Sequence, residues 1–541
     1  MWYEAPMRRT ASLRRTASLR RTPSRAPVPA LLVCLCGVGC AAPEKGAGPP
    51  ADDSGAAVDL GPQLAAAPAA GAWSTRGPGG PATRHAPEAL GQPCAYLNGG
   101  PDSAEHHNLA LMHDGYLLFP WAPEDGGGGI SFFDVSDPCA PEKVGEVYAE
   151  HMRESHTLAT GVVDGREFLA VDYHVSGTEG GIGFFDITDP TAPTWVGGLA
   201  LPGYDYPDAY FRVALSTTWV GDRLYVAAGL LGVFVIDVSD PTAPVLVDQV
   251  TEPGHIVGTF HVIGDVAVVS SAGLARVLVY DIGDPAAWEL RADLQVSTPD
   301  DPFEAFYFAT IGGEYALFAR KDNGGGPIVY DLSSPFAPTF AGTFVSEDGD
   351  GGYAFRHGDL IFQGESEFGA IYDFAAPDAI SERLRVQLPG DFDTLTPLGN
   401  VMVASVDEDG APGQATAIMP WAEQPDADPP ALRLHRPADG ATFVKPGTAI
   451  GLSFDELLEP RSAHPGSVRV WDARGAVVPG RLYVLEGVVN FAPDAPLAAD
   501  QSYFVEVPAG GVADSVGNPV AEATRFSFST GGEVAPWPRD P

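Results

Sequence analysis

Seven polar side chains fall a few positions ahead of seven short Gly/Asp turns: His107, His156, Arg212, His255, Glu304, Tyr353 and Asp391. If the segments joining them to the turns are equivalent strands, all seven begin at one mouth. Imidazoles facing carboxylates across a small ring could ligate a transition metal or orient a polar ligand. No two of these histidines have ligand spacing within one segment, so the chemistry depends on convergence in space. The acidic loops SEDGDGG (346–352) and VDEDGAPG (406–413) offer oxygens suited to calcium, without the full EF-hand spacing. No cofactor is required by the sequence; calcium or a transition metal is the candidate ion. There is no Walker loop, GxSxG elbow or HExxH, so nucleotide binding and the common hydrolase motifs lack support.

The turns that would position these residues recur. HDG at 113, VDG at 163, VGD at 220, IGD at 263, IGG at 311, HGD at 357 and LGN at 398 are each followed by an apolar strand. After most of them comes a second marker of the type GFFDITDPTAP, whose aspartates are Asp134, Asp186, Asp237, Asp281, Asp331 and Asp373, at steps of 52, 51, 44, 50 and 42 residues. That period marks a propeller or solenoid. Asp-Gly between apolar segments is a hairpin signal, so each repeat reads as a four-stranded antiparallel meander. Seven repeats follow, the last without its aspartate. An acid supplied six times in one local context sets turns by accepting backbone N–H bonds, and is not a catalytic group.

The strands around FFDVSDP, FFDITDP and VFVIDVSDP resemble the LVIVD repeat of secreted and surface-anchored proteins, over about Asp114–Pro377. The resemblance implies a β-propeller and a surface setting, and implies no reaction. Farther on, NFAPDAPLAADQSYFVEV, GVADSVGNP and FSFST resemble the bacterial Ig-like domain first known from S-layer proteins, over about Pro429–Gly532. That resemblance implies a β-sandwich with Tyr503 at a corner, acting as a spacer or adhesive unit. The expected fold is all-β: a seven-bladed β-propeller of four-stranded antiparallel blades, then an Ig-like β-sandwich.

The N-terminus reads as an export signal, with arginines ahead of a short apolar run too brief to span a bilayer. Gly37-Val38-Gly39-Cys40 resembles the lipobox of bacterial lipoproteins, which implies lipidation of Cys40, and Ala41 rather than aspartate after that cysteine favours the outer membrane by the same resemblance. The expected layout is a signal peptide at 1–39, a disordered Ala/Gly/Pro-rich tether at 40–92, the propeller at 93–424, a linker at 425–430, the Ig-like domain at 431–532 and a tail at 533–541. Cys34 and Cys36 go with the signal, leaving Cys94 and Cys139 to form a disulfide in an oxidising compartment. Residues 1–39 hold seven arginines against one glutamate, so their removal takes the formal charge from −40 to −46. That balance argues against nucleic acids and anionic lipid surfaces as partners.

The functional expectation is a monomeric, lipid-anchored envelope protein that displays its domains for binding or adhesion to a surface or matrix component, protein or glycan. The rivals are a propeller-type hydrolase or lyase acting on a glycan or peptide at the channel mouth, and a purely structural envelope component.

Overall fold

The computed structural model describes residue 64 and residues 73–98, 109–122, 127–152, 155–174, 179–205, 216–321, 324–406 and 410–538. Seven four-stranded antiparallel sheets form the propeller. Blade 1 spans Leu111–Ala149, blade 2 Ala159–Asp205, blade 3 Ser216–Val250, blade 4 Val257–Gln295, blade 5 Phe306–Thr343 and blade 6 Ala354–Val386.

Blade 7 is closed differently. Phe392–Leu398, Val401–Val406 and Thr416–Pro420 supply three strands, and its outermost strand is Ala95–Leu97 from the start of the chain, paired with Thr416–Ile418. The ring is therefore shut by pairing the two ends of the repeat region. A disulfide joins Cys94, beside this closing strand, to Cys139 in the outer turn of blade 1, with Cα atoms 4.9 Å apart.

The second and third strands of each blade are apolar on both faces because each blade is sandwiched between two others. The residues immediately before the repeated aspartates, Phe133, Phe185, Ile236, Tyr280, Tyr330 and Tyr372, are buried, and so are Phe132, Phe184, Val235, Val279, Val329 and Ile371 one position earlier. Full burial of such side chains contributes about 1.5–3 kcal/mol each. The pairing between third and fourth strands slips at the same place in blades 1 to 6, at Phe132/Phe133 and its equivalents. A bulge repeated there adds the local twist each blade needs.

The six aspartates end the third strands. Asp134, Asp186, Asp237, Asp281, Asp331 and Asp373 each accept the backbone N–H two residues on, at 2.6–3.1 Å. The hairpins between first and second strands turn through left-handed backbone, with φ of 53° at Asp114 and 64° at Gly221, which is why Asp and Gly recur there.

Two sheets make the C-terminal sandwich. One contains Leu432–Arg436, Ile450–Phe454, Val488–Pro493 and Gly480–Leu485; the other contains Arg469–Asp472, Ser502–Val507 and Thr524–Ser529. Tyr503 is buried, and its hydroxyl accepts the Ala498 N–H at 2.7 Å, tying the loop ahead of its strand.

One departure from the sequence reading lies in the expected tether. Residues 73–92 run along the propeller: the Gly77 N–H donates to Asp114 O, Asn400 Nδ2 to Thr83 O, the His85 N–H to Glu423 O and the Gly91 N–H to Pro420 O. Apolar periodicity could not reveal this, since the segment docks through backbone groups. The earlier part of the expected tether, with Cys40, lies outside the described residues.

Candidate functional site

Each innermost blade strand starts at one face of the propeller and ends in its hairpin at the other. The Ig-like sandwich sits on the hairpin face and touches every blade. Glu459 accepts the N–H groups of Asp114 and Gly115 in blade 1, and Arg461 pairs with Glu167 in blade 2. Arg481 pairs with Asp222 of blade 3 at 2.6 Å. In blade 4, Asn490 Oδ1 accepts the Gly264 N–H and its Nδ2 donates to Val262 O, both at 2.8 Å, while Arg436 grips Asp265 with two bonds. The hairpins of blades 5 and 6 donate from Gly313 and Gly358 to the carbonyls of Phe454 and Asp455. In blade 7, Gly399 packs on Val516.

The axis is apolar. Leu109, Leu158, Phe308, Tyr353 and Phe355 form one cluster there, against which Leu457 of the sandwich packs. A small cavity, about 40 Å³, lies beneath the sandwich here, lined by Leu111, Phe355, Leu457, Leu485 and neighbours.

Of the seven residues expected at the opposite mouth, His107 and Arg212 lie outside the described residues. His156 and Tyr353 are brought together: the Tyr353 hydroxyl donates to His156 O at 3.0 Å, and both rings stack on Phe308. Glu304 is ion-paired with buried Arg320 and accepts from Thr298 Oγ1 at 2.7 Å. His255 is buried, and loss of solvation, helped by nearby Arg276, lowers its pKa to about 4, so it is neutral at pH 7. Asp391 is exposed on the loop leading into blade 7. These five therefore do not share one ligand position. In the 346–352 loop, Asp350 faces Lys321 at 3.3 Å and Asp348 faces Arg385 at 3.8 Å; residues 407–409 of the other acidic loop lie outside the described residues.

A different group converges at the junction of blade 6, the linker and the sandwich. His357 ends the innermost strand of blade 6, Asp426 lies in the linker and Glu456 follows the strand Ile450–Phe454. One donor atom from each lies within 4.8 Å of the others. His357 Nε2 is 3.7 Å from Asp426 Oδ2, and Nδ1 is 3.6 Å from Glu456 Oε2. Burial, with Asp514, Asp426, Asp455 and Asp428 around it, pushes the Glu456 carboxyl up to about 10. The sequence signals were the histidine in the HGD turn and the acidic strings EQPDADPP and FDELLE, which the repeat alignment did not connect.

Residues 426–530 match the bacterial Ig-like domain family, and residues 214–252, which span blade 3, match the LVIVD repeat. The chain is a β-propeller that carries an LVIVD repeat, with a C-terminal bacterial Ig-like domain. No curated protein matches it. Solved structures similar to this propeller include a Lactobacillus plantarum protein (15% identity, 55% of this chain and 94% of that one, TM-score 0.42). A periplasmic gluconolactonase of Pseudomonas aeruginosa (12% identity, 60% and 88%, TM-score 0.42) and Sqt1 from Chaetomium thermophilum (14% identity, 60% and 84%, TM-score 0.41) are similar to the same extent. Likenesses at this level carry no residue role or activity over to this propeller. Among its described residues no helix is long and apolar enough to cross a membrane.

Proposed function

We propose that the chain is a binding or adhesion module held at the cell surface through Cys40, and that its contact face is the propeller face opposite the Ig-like domain. The observation that supports this is the occupation of the hairpin face by the sandwich, which leaves one broad face for a partner. Loops and strand ends on that free face carry exposed apolar side chains: Leu230 (54% exposed) and Phe303 (51%), with Val345 and Tyr148. Exposed apolar groups on one face suit a protein or glycan surface, and aromatic rings suit the flat faces of sugars. The acidic balance suits neither nucleic acid nor anionic lipid. Catalysis at the mouth would need an acid–base pair, whereas Glu304 is engaged by Arg320, and His156 and Tyr353 are stacked on Phe308.

The test is surface plasmon resonance of the chain, with Cys40→Ser, against envelope polysaccharides and matrix proteins. A partner in this class should lose at least tenfold in affinity with Phe303→Ala or Leu230→Ala, and be indifferent to Arg481→Ala on the covered side. Binding that survives both free-face changes places the contact elsewhere and ends the reading. In the unsubstituted chain, membrane fractions should retain the protein; retention after Cys40→Ser would discard the anchor.

A further inference from the structure

We propose that His357, Asp426 and Glu456 hold one divalent transition-metal ion, of the Zn²⁺ kind, that fastens the Ig-like domain and the linker to blade 6. The three donors come from three segments that meet only because the sandwich is docked. Their gaps of 3.6 and 3.7 Å are too long for hydrogen bonds. Yet Asp426 Oδ2 and Glu456 Oε2 are buried and have no hydrogen-bond donor, with Glu456 only 5% exposed. The two gaps run to different ring nitrogens, but one nitrogen and one oxygen from each carboxylate lie within 4.8 Å of one another; ligands at tetrahedral zinc lie about 3.3–3.5 Å apart, so side-chain rotations that draw the donors in by up to about 1.5 Å would close the set on an ion.

The nearby charges do not supply the missing cation. Arg433 is committed to Asp455, at 2.7 Å. Asp514 is occupied by the N–H groups of Val516, Gly517 and Asn518. That leaves two buried carboxylates around one imidazole, in a field made more negative by Asp428. A proton on Glu456 would remove a charge but would leave Oε2 without a partner; an ion satisfies both carboxylates and the ring.

The donor types choose the metal. One imidazole with two carboxylates suits zinc or manganese, whereas calcium prefers an all-oxygen set. Three protein ligands leave a position for water. It opens on a groove of about 750 Å³, lined also by Asn400, Trp421 and Arg433.

The experiment uses the tag-free chain with Cys40→Ser, stripped with chelator. Zn²⁺, Mn²⁺ and Ca²⁺ are titrated calorimetrically, with thermal midpoints and proteolysis of the 425–430 linker read alongside. The expected result is one Zn²⁺ per chain, a raised midpoint and a protected linker. Glu456→Gln and Asp426→Asn should each weaken Zn²⁺ by at least tenfold and abolish both effects, while melting no lower than the metal-free parent, since neither adds a buried charge. If one variant fails to fold, the other and His357→Gln carry the test. Absence of bound Zn²⁺ and Mn²⁺, a preference for Ca²⁺, or zinc binding unchanged in the variants overturns the proposal.

Discussion

The carboxylates of this chain show how far environment outweighs residue type. Burial opposes ionisation of Asp186, but the bonds it accepts from Thr188 and Arg166 win and hold its pKa below the ordinary value. Glu365 goes the other way. Burial raises its pKa to about 7 in spite of bonds from the Tyr372 hydroxyl and the Gly326 N–H. In the unfolded chain its carboxyl ionises near 4.5. Between those values folding takes up a proton, so the stabilisation is full below about 4.5 and is lost as pH rises toward 7, levelling off above. The loss is at most about 3–4 kcal/mol, at about 1.4 kcal/mol for each pKa unit. Glu365→Gln keeps an acceptor for Gly326 and removes the titration. Urea midpoints at pH 5 and pH 8 should therefore differ less in this variant than in the parent; an equal difference would assign the pH dependence to another group. The same contrast explains what could be read in advance. The turn aspartates are local, so their pattern in sequence is their structure. The group His357, Asp426 and Glu456 is assembled from three distant segments, and no periodicity points to it.

At the scale of the blade, the repeat was legible because the inner strands must be apolar on both faces and each first hairpin must reverse within two residues. Both demands write a period into the chain. The outer strand of blade 7 was not legible, because three residues, Ala95–Leu97, carry no period at all. What holds so short a strand is the pairing with Thr416–Ile418 together with the Cys94–Cys139 bond. That bond spans a sequence separation of 45. In the chain-entropy picture a loop of this size stabilises by about 4 kcal/mol. Replacing both cysteines with serine should lower the unfolding free energy by about 2–4 kcal/mol. It should also speed hydrogen exchange first at Cys94 N–H and Leu97, before the inner strands of blade 7. Uniform exchange across that blade would mean the closing strand is held without the bond.

At the scale of the molecule, the two folded parts share their cores. Tyr483 and Ala492 of the sandwich belong to the cluster of blades 2 and 3, and Leu434 and Val488 to that of blades 4 and 5. The seven-bladed ring and the sandwich were each readable as separate modules, since each has its own pattern; their docking was not, because a surface shared by two modules leaves no repeat. Shared cores and contacts to all seven hairpins imply that neither part unfolds while the other stays intact. Asn490 is the sharpest probe of that coupling. Asn490→Ala leaves the Gly264 N–H and the Val262 carbonyl buried without partners, a cost of about 2–4 kcal/mol. Adding Arg436→Ala removes the paired grip on Asp265. Scanning calorimetry of the parent should give one transition, whose calorimetric and van't Hoff enthalpies agree. The double variant should split it, with the sandwich and the propeller melting apart. Two resolved transitions in the parent would show instead that the sandwich rests on the propeller without sharing its stability, and a spacer able to swing free of the hairpin face would then replace the fixed cap.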